Sequence, residues 1–203
     1  MKIGIDIDGV VCDLMSLVCK RINMLYDTMY TPEDIREWHQ PLDIPVTLEA
    51  AVRDTLINDE PPLPYPDAYC GVKALLQRGH SLVFITGRKD DALIKARTKL
   101  WCMYSMPEAS EKVEIPIVHT TDKSEMPIDV LIEDNWDTAM DFAETGRKVI
   151  VPVRPWNESD VWRVHVLPAK YARIYAVRGW KKIVGVIDGI ERENVMRGVS
   201  ERL

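Results

Sequence analysis

Carboxylates stand directly after apolar runs at several places in this chain. Asp6-Ile7-Asp8-Gly9-Val10 follows Ile3 and Ile5. Two positions apart on an extended chain, the Asp6 and Asp8 side chains point to the same face. One of them can then act as nucleophile and metal ligand while the other moves protons. Gly9 permits a tight turn that aims backbone amides at a phosphate. A second apolar run, Leu82-Val83-Phe84-Ile85, ends in Thr86-Gly87-Arg88. A third, Val130-Leu131-Ile132, ends in Glu133-Asp134-Asn135, with Asp137 just beyond. Thr86 can hydrogen-bond a phosphoryl oxygen. Lys123, which stands before the Val130 run, can neutralise charge that develops in group transfer. Carboxylates gathered in one place repel unless a cation or a shift in protonation relieves them. A hard divalent ion such as Mg2+, held by carboxylates and a substrate phosphate, meets that need.

The elements that must position these groups follow from periodicity and punctuation. Ile3, Ile5 and Ile7 alternate as in a strand ending near Asp8, and Val10 to Leu25 carries Leu14, Val18, Ile22 and Leu25 at helical spacing. Thr31-Pro32-Glu33-Asp34 reads as a helix start. Thr47 to Asp59 reads as a helix with Leu48, Ala51, Val52 and Leu56 on one side. Glu60-Pro61-Pro62-Leu63-Pro64-Tyr65-Pro66 is neither helix nor central strand and marks a segment boundary. Asp67 is expected to cap a helix from Ala68 to Arg78 that Gly79 ends. Ser81–Thr86, Ile115–Val118, Val130–Ile132, Val149–Val151 and Arg173–Val177 read as strands. Between and after them lie helices over Asp90–Tyr104, with Leu93, Ala96, Leu100 and Met103 facing one way, over Asn135–Thr145 and over Trp180–Glu193. Short apolar strands alternating with amphipathic helices predict an α/β fold with a mostly parallel sheet. In such sheets ligands bind at the carboxyl ends of the strands, where these polar residues stand.

These motifs, in this order and at these strand ends, resemble the four signatures of the haloacid-dehalogenase-like (HAD) phosphohydrolases: Asp6-Ile7-Asp8-Gly9-Val10, Ile85-Thr86-Gly87-Arg88, Lys123 and Ile132-Glu133-Asp134. The resemblance covers residues 1 to about 155. It implies a Rossmann-like α/β core over residues 1–13 and 67–203, with a small helical cap inserted over residues 14–66. Pro62-Leu63-Pro64, Leu131-Ile132-Glu133-Asp134 and Arg154-Pro155-Trp156-Asn157 further resemble the 5′(3′)-deoxyribonucleotidases and their bacterial and phage relatives. Carried over by motif, Asp6 attacks phosphorus, and Asp8 protonates the leaving oxygen and then activates water. Thr86, Gly87, Arg88 and Lys123 hold the phosphoryl group. Mg2+ sits on Asp6, the Asp8 carbonyl and Asp134, with Glu133 and Asp137 as outer-shell candidates. Trp38 and His39, in the insert, are candidates for the substrate pocket or for packing of cap on core. The chain departs from the family where Glu133 stands in place of an aspartate and where Gly87-Arg88 follows the threonine. The implied activity is Mg2+-dependent phosphomonoester hydrolysis on (deoxy)nucleoside monophosphates. The alternatives are another small phosphorylated metabolite or a polynucleotide 3′-phosphate, and a non-catalytic nucleotide or phosphate sensor. The resemblance also allows a homodimer.

Composition supports an ordinary globular chain. The 203 residues are 46% hydrophobic and 29% charged, the balance of a packed domain rather than a disordered one. Lysine and arginine number 26 against 32 aspartates and glutamates, and a net charge of −6 argues against a nucleic-acid duplex as partner. No stretch approaches the apolar length of a membrane span. No signal-peptide layout is present, and Cys12, Cys19, Cys70 and Cys102 lack zinc spacing. They read as free buried thiols in a reducing, cytoplasmic setting. Asp-x-Asp-Gly lacks the later glycine and glutamate of a calcium loop. The sequence also contains no dinucleotide fingerprint, Walker loop or Gly-x-Ser-x-Gly elbow.

Overall fold

The computed structural model describes residues 1–88, 91–106 and 115–200. Six strands form one sheet: β1 (Lys2–Ile5), β2 (Ser81–Thr86), β3 (Ile117–His119), β4 (Val130–Ile132), β5 (Lys148–Pro152) and β6 (Ile174–Val177). Their order is β3-β2-β1-β4-β5-β6, and every neighbouring pair is parallel. This is the expected α/β Rossmann-type fold. Connections run outward from β1 in both directions, so the crevice where strand order reverses lies at the carboxyl end of β1. Ile3, Ile5, Phe84, Ile85, Leu131, Ile132, Val149 and Ile150 are essentially inaccessible, as strands covered on both faces must be.

Helices α1 (Leu14–Tyr26), α2 (Leu48–Asn58), α3 (Ala68–Gln77), α4 (Ala92–Ser105), α5 (Trp136–Glu144), α6 (Glu158–Val166) and α7 (Trp180–Ser200) complete the described chain. Residues 11–13 and 63–65 run side by side. Asp13 N–H donates to the Leu63 carbonyl at 2.8 Å, and Tyr65 N–H donates to the Val11 carbonyl at 2.9 Å. The prolines between Glu60 and Pro66 therefore bring the chain back beside residues 11–13.

Several sequence expectations are corrected. β1 ends at Ile5, three residues before Asp8. Beyond it the Val11 and Cys12 amides both close on the Ile7 carbonyl, and this turn delays α1 until Leu14, where Asp13 caps it. Thr31-Pro32 opens only a 3-10 turn, Pro32–Asp34, locked by Thr31 N–H and Oγ on Asp34 Oδ2 at 2.8 and 2.7 Å. Asp67 precedes α3 in a left-handed conformation, φ 64°, and its side chain makes no cap. The inward face of α4 is Ile94, Thr98, Trp101 and Cys102, while Leu93 and Leu100 are about half exposed. The apolar count missed Thr98, which faces inward because it accepts from Arg88 Nη1 at 2.9 Å, and Trp101, which donates to the Pro62 carbonyl at 2.6 Å. α6 had no counterpart in the sequence reading. Cys12, Cys19 and Cys102 are buried thiols, but Cys70 is exposed. Asp90 and Val113, the expected start of the α4 helix and lead-in to β3, lie outside the described residues.

Candidate active site

The Asp6 amide donates to the Ile132 carbonyl at 2.9 Å, which sets the end of β1 against the end of β4. That pairing places Asp6 next to Glu133 and Asp134. One oxygen from each of these three buried carboxylates falls within 4.8 Å of the others. Lys123, itself 5% exposed, reaches into the group: its Nζ donates to Asp6 Oδ1 and, at 2.6 Å, to Glu133 Oε2. Burial pushes the Asp6 carboxyl well up; Lys123 opposes this, and Glu133, Asp134 and Asp8 add to it. Burial, with Glu133 beside it, likewise raises Asp134 to about 7. Burial alone would lower Lys123, but Asp6 and Glu133 raise it. Three carboxylates facing one ammonium repel one another, and a bound cation or a proton relieves this. Asp6, Glu133 and Asp134 thus fit a hard divalent cation by donor type and separation. Glu133, expected in an outer shell, lies within this group, with its Oε2 accepting from Lys123 and its Oε1 accepting the Asn135 amide at 3.0 Å.

Asp8 lies beyond the strand, so the alternation argument does not set its direction. Arg88 does. Its Nε donates to Asp8 Oδ2 at 2.7 Å and its Nη2 to Asp8 Oδ1 at 2.6 Å, a bidentate pair. Cys12 Sγ adds a contact to Asp8 Oδ1 at 3.1 Å. Burial alone would raise the Asp8 carboxyl, but the Arg88 guanidinium prevails and holds it below the usual range. Each guanidinium nitrogen of Arg88 therefore donates within the protein: two to Asp8, and Nη1 to Thr98. Expected on phosphate, Arg88 is here the partner of Asp8, because Thr98 on α4 and Asp8 in the turn capture its fork.

Thr86 is buried at the end of β2, and its Oγ accepts the Arg88 amide at 3.2 Å. Thr86 and Gly87 line one cavity of about 370 Å³ together with Asp6, Asp8, Lys123 and Asp134. Trp38, Leu14, Val52, Leu56 and Ile94 line the same cavity, with Glu49 and Arg53. Two expected residues are not brought to this cavity. His39 is exposed and pairs with Glu49 at 3.1 Å. Asp137, in the first turn of α5, faces solvent, while Thr138 takes the cavity side.

Trp156 is buried, and the structure gives it a polar partner too. The segment after β5 folds over Asp134. Trp156 Nε1 donates to Asp134 Oδ2 at 2.6 Å, and Asn157 Nδ2 donates to the Asp134 carbonyl at 2.7 Å. Arg154 Nε donates to the Gly9 carbonyl at 2.6 Å while its guanidinium lies 3.7 Å over the Tyr65 ring. The available signal was position: these residues follow the carboxyl end of a sheet strand. Gly9 has φ 74°, and a Cβ there would fall 2.0 Å from Asp134 Oδ2. Both the turn and the carboxylate's proximity exclude a side chain at this position.

No protein-family model matches the sequence, and no curated protein matches it. Solved structures do match in fold. A HAD family hydrolase from Deinococcus radiodurans R1, with bound phosphate and sodium, shares 11% identity over 90% of this chain and 92% of its own, at a TM-score of 0.61. A haloacid dehalogenase-like hydrolase from Streptococcus pneumoniae shares 11% identity over 92% and 97%, at 0.58. The L-2-haloacid dehalogenase of Xanthobacter autotrophicus shares 12% over 93% and 98%, at 0.52. The likeness is one of fold, and the fold is HAD-like.

Proposed function

We propose that this protein is a HAD-type phosphohydrolase that cleaves phosphate monoesters through an aspartyl-phosphate on Asp6. The observation that carries the reading is the buried junction of Asp6 with Lys123, Glu133 and Asp134 in the lining of a cavity shared with Asp8 and Thr86. In the first half-reaction an Asp6 oxygen attacks phosphorus, the bond to the leaving oxygen breaks, and Asp8 gives that oxygen a proton. In the second, water attacks the phosphorus of the aspartyl-phosphate and Asp8 takes the water's proton. Inorganic phosphate leaves and the Asp6 carboxylate returns. The Arg88 pair favours the Asp8 carboxylate, the form that takes the water's proton in the second half-reaction; in the first, Asp8 must carry its proton against that pair. Thr86 offers a hydroxyl and Lys123 an ammonium to the phosphoryl oxygens.

Asp6 and Asp134, with the Asp8 carbonyl, would hold Mg2+, and Glu133 would stand beside them as the partner of Lys123. When bound, the ion offsets carboxylate repulsion and withdraws electron density from the phosphoryl oxygens. The aspartate at the second motif position suits an ester that releases an alcohol. Nucleoside monophosphates, deoxyribonucleotides among them, are the substrate class we favour. The cavity lining joins groups suited to a phosphate with apolar side chains and the Trp38 indole, able to contact a base. We assign residues 14–66 the role of a cap that closes over the site and keeps bulk water out during transfer.

The test is phosphate release from an aryl phosphate and from ribo- and deoxyribonucleoside monophosphates, with Mg2+ and with a chelator, beside Asp6→Asn. The expected result is metal-dependent release that Asp6→Asn abolishes while its circular dichroism is unchanged. Retained turnover in that variant overturns the mechanism. Binding without turnover would favour a sensor.

A further inference from the structure

We infer that Trp156 is a positioning residue for the carboxylate of Asp134, setting its affinity for a divalent cation. The inference rests on the metal centre proposed above and names a group outside its donors. Trp156 is 4% exposed, and its indole N–H donates to Asp134 Oδ2 at 2.6 Å. An indole can only donate, so the bond suits the carboxylate and ties one of its two oxygens. The rest of Asp134 is held just as closely. Asn157, 1% exposed, donates to its carbonyl at 2.7 Å and to the Pro152 carbonyl at 3.0 Å. Gly9 leaves room where any side chain would strike Oδ2. The carboxylate therefore has one fixed orientation. Hydrogen bonds of this kind orient ligands before the metal arrives, and their loss typically weakens metal binding by about 10–100-fold.

Trp156 also meets the insert. Trp38 packs edge-to-face on it, with ring centroids 6.0 Å apart at 61°. Packing and hydrogen bonding are thus separable by substitution. Trp156→Phe keeps an aromatic ring and removes the N–H. Trp38→Phe alters the same ring contact and leaves the N–H of Trp156 in place.

The experiment titrates Mg2+ alone into wild-type protein, Trp156→Phe and Trp38→Phe, read by calorimetry and by the rise in thermal midpoint with ion concentration. Neither readout needs turnover. The expected result is binding to wild type, a dissociation constant raised about 10–100-fold in Trp156→Phe, and a change under about threefold in Trp38→Phe. Equal affinity in wild type and Trp156→Phe overturns the inference and leaves the metal centre standing. Equal losses in both variants assign the effect to ring packing and overturn it as well. Failure of wild type to bind Mg2+ overturns the metal centre, and the inference with it. If Trp156→Phe does not fold, wild type labelled with 15N at its six tryptophans decides. Mg2+ must then move an indole N–H resonance, and six stationary resonances refute the role.

Discussion

Arg88 is the residue whose role changed most between sequence and structure. An arginine after a phosphate-binding threonine invites the reading of an anion ligand. Its planar fork instead meets both oxygens of Asp8, the geometry that makes arginine a bidentate carboxylate partner. The pair is well buried, with the Arg88 side chain 4% exposed and that of Asp8 16%. Removing one member of such a pair strands the other charge. Arg88→Met is therefore expected to lower stability by about 3 kcal/mol in urea unfolding. Asp8→Leu combined with Arg88→Met should recover part of that loss. Equal stability of wild type and Arg88→Met would show that the pair does not hold the turn.

Among the elements, α3 and α7 pack against the turn that follows β1. Trp180, at the start of α7, donates its indole N–H to the Val10 carbonyl at 3.1 Å, and its ring lies against Gly71 of α3. A Cβ at Gly71 would fall 2.3 Å from the Trp180 ring. Alanine normally stabilises a helix interior over glycine by about 1 kcal/mol. At Gly71 overpacking should reverse the sign, at a cost of about 1–3 kcal/mol. Gly185 of α7 is the matched control: it is exposed, with nothing within 4 Å of its added Cβ. Chemical unfolding should show Gly71→Ala destabilised and Gly185→Ala stabilised. Two stabilised variants would mean that α3 and α7 separate readily enough to admit a methyl group.

At the scale of the molecule, sheet and insert share a core. Ile3 and Ile5 of β1 belong to one contiguous cluster with Leu14, Val18 and Ile22 of α1, with Ile35, and with Leu48 of α2. A core that continues across a proposed boundary unfolds as one unit. Far-ultraviolet circular dichroism and tryptophan fluorescence are thus expected to report one coincident urea transition. Two resolved transitions, the first losing part of the helical signal, would mark residues 14–66 as a separate folding unit. Among the described residues no helix is long and apolar enough to cross a membrane.

The sequence by itself determined the parallel α/β sheet, because strands buried on both faces must be written as continuous apolar runs. It also determined where to look, since Asp6, Thr86 and Asp134 follow such runs and line one cavity with Lys123. Tertiary structure alone decided which charges meet. Arg88 finds Asp8 across 80 residues, and Trp156 finds Asp134 across 22. Neither pairing leaves a periodic trace in the chain. The inward face of α4 was illegible for the same reason: Thr98 turns inward to receive Arg88. Hydrophobic periodicity records which surface a helix buries against apolar neighbours. A polar group buried for one distant partner depends on where the sheet brings that partner, and only the folded chain supplies that.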